Sequence, residues 1–94
     1  MSTQDRSTAA TFAKGMAVLA AFDGSAAALT LAEIARATGQ DRATARRGAL
    51  TLVGLGYLAQ TGRAFALTPK VLGLAAGYLR ANHFGRLVQP VLNR

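Results

Sequence analysis

Ninety-four residues hold one small domain with a flanking helix, and a chain that is 51% hydrophobic can furnish a modest core. The lack of cysteine excludes disulfides, thiolate metal sites and cysteine nucleophiles, and the longest apolar run, Met16 to Phe22, is too short to span a bilayer, so a cytoplasmic chain without membrane attachment is expected. Eleven Lys and Arg against four Asp and Glu leave a net charge of +7, which suits a polyanionic partner; from Arg36 onward only Asp41 opposes the basic residues.

Residues 1–10 are small and polar with nothing to bury, and they read as a disordered tail. From Thr11 a helix is expected, with Phe12, Met16, Leu19 and Phe22 as its inward stripe and Asp23-Gly24 as its end. Lys14 lies off that stripe, either solvated or against a phosphate. Gly24 to Leu29 reads as a loop, with Leu29 as a hydrophobic staple for the next helix.

Thr30 followed three residues later by Glu33 forms a capping-box signature, so a second helix should start at Leu31. Leu31, Ile34, Ala35 and Thr38 fall on its inner face. Gly39 ends it, Gln40 completes a tight turn, and Asp41 is a good N-cap for a third helix running from Arg42 to about Gly54. In that third helix Ala45, Gly48, Ala49, Leu52 and Val53 form the side expected to be buried. The opposite side presents Ala43, Arg46, Arg47, Leu50 and Thr51, with Arg42 and Thr44 at the N-terminal end.

Small side chains at Ala43 and Ala45 allow close approach to a duplex. The planar forks of Arg46 and Arg47 suit either phosphate oxygens or a guanine edge. A solvated basic face is the alternative, and the turn before this helix and the hairpin after it argue against it. Residues 57–60 and 64–68 read as two strands around Thr61-Gly62-Arg63, with Leu58, Phe65 and Leu67 inward and Arg63 at the tip, open to solvent or to phosphate.

The expected architecture is therefore mainly helical with a small β-hairpin. It is a winged helix-turn-helix over residues 11–68, made of a three-helix core and a two-stranded wing, followed by a linker and dimerisation helix over 69–82. Pro69 is tolerated in that helix's first turn, and Val71, Leu72, Ala75, Ala76 and Leu79 form its apolar face. Phe84, Leu87, Val88, Val91 and Leu92 begin another amphipathic stretch, so residues 83–94 look like the start of a truncated further domain. The candidate DNA-contacting set is Lys14, Arg42, Ala43, Thr44, Arg46, Arg47, Thr51 and Arg63. No cofactor, metal site or catalytic group is expected: His83 is the only histidine, and Asp5, Asp23, Glu33 and Asp41 have tail, helix-end or cap roles.

Several blocks in order resemble the N-terminal region of the IclR family of bacterial transcriptional regulators. They are Lys14-Gly15 with Val18-Leu19-Ala20-Ala21-Phe22, then Leu29 to Ala35, Thr38-Gly39, Leu55-Gly56-Tyr57-Leu58, and Phe65 to Leu72. Arg42 to Arg47 looks more like the subgroup that controls aromatic-acid breakdown through the β-ketoadipate and protocatechuate routes. The resemblance implies a homodimer on an operator in double-stranded DNA, with a small organic effector bound by a C-terminal domain absent from this chain. It also marks a departure. Gly48 and Ala49 stand where relatives usually bury larger residues, which should thin the core and loosen the third helix. A winged-helix assembly module that does not read DNA, using residues 69–94 and an exposed Leu50, is the competing function.

Overall fold

The computed structural model describes residues 3–81, with side chains from residue 9 onward. The elements in chain order are α1 (Thr3–Ala20), β1 (Leu29–Thr30), α2 (Leu31–Thr38), α3 (Arg42–Leu55), β2 (Leu58–Thr61), β3 (Ala64–Leu67) and α4 (Val71–Ala81). This is a winged helix-turn-helix. The segment assigned to 83–94 lies outside the described residues.

The helix starts expected from the capping residues form as local chemistry dictates. Thr30 and Glu33 exchange hydrogen bonds, the Thr30 N–H donating to Glu33 Oε1 at 2.8 Å and the Glu33 N–H to Thr30 Oγ1 at 3.3 Å. Each thereby satisfies an orphan donor at the start of α2. Gly39 ends α2 at φ 71°, a left-handed conformation that a side chain would resist. Its N–H donates to Ala35 O, and Asp41 then caps α3 by accepting from the Thr44 N–H at 2.7 Å.

Three features depart from the sequence reading. First, α1 begins at Thr3, so residues 3–10 are helical rather than a disordered tail. Ala9 and Ala10 favour helix, and extending an existing helix costs far less than nucleating one. Second, the wing is the two-thirds part of a three-stranded antiparallel sheet of order β1-β3-β2. Leu29, expected in a loop, and the cap residue Thr30 pair with Phe65 and Ala64 and place β3 in the centre.

Third, the inward face of α1 is turned by about one residue from the expected stripe. Phe22 is buried and Leu19 packs on the core as expected, but Val18, off that stripe, is fully buried, whereas Phe12 is 68% and Met16 47% exposed. The cause is the crossing with α3. Gly15 and Gly48 stand opposite each other there, and a Cβ on Gly48 would lie 3.0 Å from Val18 Cγ2 and 3.8 Å from Gly15 Cα. The missing side chain at Gly48 therefore leaves no gap, because α1 fills it.

Val18, Phe22, Ile34, Ala45, Ala49, Leu52, Leu58 and Phe65 form one core between the three helices and the sheet. Leu31, Ala35, Leu50 and Val53 pack on its margin. Leu50 is therefore half-buried rather than fully presented, and Val53 is half-buried rather than enclosed. Leu67 shares the Phe65 face of β3 but is 40% exposed, beside a shallow recess with Phe22, Gly24, Ala26 and Ala27. No helix among the described residues is long and apolar enough to cross a membrane.

Candidate nucleic-acid interface

The exposed side of α3 follows from its buried side. Ala45, Ala49 and Leu52 face the core, so at about 100° per residue Ala43 and Arg47 point away from it, with Arg42, Arg46 and Thr51 also exposed. Thr44 is half-buried on the flank next to α1. Arg47 does not wave freely: its Nη2 donates to Thr44 Oγ1 at 3.3 Å, one turn back, which leans the guanidinium toward the helix N-terminus. A side chain held in one direction loses less conformational entropy when it meets a partner.

At that N-terminus the exposed N–H groups of α3 would ordinarily attract an anion. Asp41 already occupies the position. Hydrogen bonds from the backbone and side chain of Thr44 hold its carboxyl below the usual carboxylate range, and the charges of Arg47 and Lys14 act in the same direction. Asp41 thus remains a carboxylate, and any phosphate near this end of the helix must be taken by the arginines instead.

Lys14 is brought to the same region by α1. It lines one trough of 840 Å³ with Thr44, Arg47 and Thr51, and Phe12, Met16, Leu55 and Leu74 line it as well. Four of the eight candidate residues are therefore collected along the α1–α3 seam. Arg42, Ala43 and Arg46 lie elsewhere on the exposed surface of α3. Arg63 is exposed in the two-residue turn joining β2 to β3, where Gly62 adopts φ 62° and Gln60 Nε2 donates to Gly62 O at 3.1 Å.

Two residues with structural consequences for this surface escaped the sequence reading. Gln40 Nε2 donates to Lys14 O at 3.0 Å and ties the turn before α3 to α1 across 26 positions of chain. Lys70 Nζ donates to Leu55 O at 2.8 Å and stands 5.0 Å from the centroid of the Tyr57 ring. No local pattern signals either contact, because both partners are distant in the chain.

Residues 11–62 match the family model described as the IclR helix-turn-helix domain. The chain is 44% identical over 80 residues to the Pca operon regulatory protein of Acinetobacter baylyi, covering 85% of this chain and 29% of that protein. It is 40% identical over 81 residues to the p-hydroxybenzoate hydroxylase transcriptional activator of the same organism, covering 86% and 30%. An IclR family transcriptional regulator from Brucella abortus superposes with a TM-score of 0.75 at 32% identity, over 85% of this chain and 31% of that one. The chain thus spans about three tenths of the length of the proteins it matches.

Proposed function

The chain belongs to the IclR helix-turn-helix family, and from that premise we propose that it reads operator DNA as part of a regulator of aromatic-compound catabolism. The observation that carries this reading is the outward cluster on α3. Arg42, Arg46 and Arg47 are exposed on a helix whose N-terminus is fixed by Gly39 and Asp41, and Arg47 is braced by Thr44. A helix so presented fits the major groove, with Ala43 small enough for close approach. Arg46 and Arg47 take the base-edge or nearest phosphate contacts. Arg42, Thr44 and Thr51 anchor the helix along the backbone, and Lys14 and Arg63 extend the phosphate contacts to either side.

The pathway assignment draws on the p-hydroxybenzoate and Pca relatives. The effector-binding role belongs to protein beyond this chain's three-tenths share, and the cytoplasm is where such a regulator meets its DNA. Assembly as a homodimer is supported by α4, which buries none of its residues and leaves Leu72 66%, Leu74 58% and Tyr78 57% exposed. Phe12, Met16 and Leu55 continue that apolar surface through the trough that Leu74 enters. The competing assembly-module reading drew on a presented Leu50, and that side chain packs on the core margin.

The test is duplex binding at several salt concentrations for the native chain and for Arg47→Glu. The reading expects a steep fall of affinity with salt and a further large loss in the variant. Unchanged affinity and salt slope on charge reversal would overturn it.

A further inference from the structure

The surroundings of Lys70 differ from those of the α3 arginines. It stands just before α4, and its side chain runs back 15 positions to the end of α3. There Nζ donates to Leu55 O at 2.8 Å and lies over the Tyr57 ring at 5.0 Å. Its stem crosses Gly56 so closely that a Cβ on that glycine would meet Lys70 Cδ at 3.2 Å, and Gly56 itself takes φ 91°. The neighbouring contacts join the same two segments. Thr68 Oγ1 donates to Gly56 O at 2.5 Å, the Thr68 N–H donates to Tyr57 O at 3.0 Å, and the Lys70 N–H donates to Thr68 Oγ1 at 3.3 Å.

The chemistry of this arrangement is that of a helix C-cap supplied from outside the helix. The last carbonyls of α3 have no intrahelical donors and carry the negative end of its dipole, and an ammonium is the group that answers both conditions. The ring beneath it adds a second attraction for the same charge. No residue of α4 is fully buried, and this cluster ties the start of the helix to the end of α3.

We infer that Lys70 is a positioning residue that fastens the root of α4 to the C-terminal end of α3, the recognition helix, by capping its last carbonyls from outside the helix. This rests on the reading of α3 as the DNA-contacting helix. It assigns to Lys70 a role distinct from phosphate binding, although its charge alone would suggest the latter.

The test compares Lys70→Met, which keeps the stem and removes the ammonium, with Lys70→Arg, which restores charge, donors and ring stacking. Two readouts are used: amide hydrogen exchange at Gly56 and Tyr57, and the salt slope of binding to a mixed-sequence duplex. The expected result is exchange faster by about three- to tenfold in Lys70→Met, the loss of a charge-assisted hydrogen bond at an exposed site. It should return to the native rate in Lys70→Arg, with the salt slope unchanged throughout. Native exchange in Lys70→Met overturns the inference. A salt slope reduced by about 0.9, the signature of one lost phosphate contact, overturns it equally. If Lys70→Met loses its helical circular dichroism, Tyr57→Leu removes only the ring beneath the ammonium and takes over the comparison at Gly56, where native exchange overturns the inference. Absence of duplex binding by the native chain would defeat the DNA reading while leaving the exchange comparison to decide the clasp.

Discussion

Gly48 and Val18 meet at the crossing of α3 and α1, where a Cβ on the glycine would stand 3.0 Å from Val18 Cγ2. Val18 is fully buried and β-branched, so it has little freedom to retreat. Glycine inside a helix costs about 1 kcal/mol relative to alanine, and here the close approach of two helices is what that cost accompanies. Gly48→Leu is expected to destabilise the fold by about 1–3 kcal/mol through overpacking. In Gly48→Leu combined with Val18→Ala the loss should fall short of the sum of the single changes by roughly 0.5 kcal/mol or more. Urea unfolding of the four proteins measures this, and strict additivity would contradict the crossing described.

The wing offers a contrast within one strand. Phe65 is 1% exposed and Leu67 40%, although both lie on the same face of β3. Phe65→Ala should cost about 3–5 kcal/mol, as for large aromatic truncations in cores. Leu67→Ala should cost well under half of that. Thermal or urea unfolding of the two variants gives the comparison, and equal losses would mean that Leu67 is enclosed.

Asp41 makes the N-cap of α3 sensitive to acid. Its folded-state pKa is lowered, first by the backbone and side-chain hydrogen bonds of Thr44. The stabilisation is therefore fully present above the unfolded carboxylate value of about 3.9 and is lost as pH falls through the lowered folded value. Glu33 behaves alike through its hydrogen bonds with Thr30. Carboxyl-carbon NMR titration should place the Asp41 midpoint below that of a free aspartate. Asp41→Asn, which keeps the capping oxygen, should retain α3 and flatten part of the acid-unfolding limb.

What could be read from sequence was whatever is settled within a few residues. Thr30 with Glu33, Gly39 and Asp41 announced both helix starts and the turn, because capping partners lie three positions apart. Leu58 and Phe65 were legible as inward residues of a hairpin. The inward face of α1 was legible only in part: Phe22 is buried and Leu19 packs on the core, but Phe12 and Met16, which complete the apolar stripe, are exposed, and Gly15 and Val18 turn inward instead. The choice between them is made by a glycine-to-glycine crossing that no single-helix pattern contains. A strand of two residues, Leu29–Thr30, is too short to show alternation, and its existence depends on the far side of β3 being open to pairing. On the candidate interface, the exposure of Arg42, Arg46 and Arg47 followed from helical periodicity. The bracing of Arg47 by Thr44, the seam shared with Lys14 and the clasp at Lys70 required three dimensions.

Whether the exposed side of α3 reads a DNA sequence is measured by enrichment of duplexes from a randomised pool by the native protein and by Arg47→Ala. The native protein is expected to enrich a defined sequence and the variant to lose preference at particular base pairs, each worth about 1–3 kcal/mol of discrimination. No enrichment by the native protein, or an identical enriched sequence from Arg47→Ala and from a companion Arg46→Ala variant, would contradict sequence reading by α3.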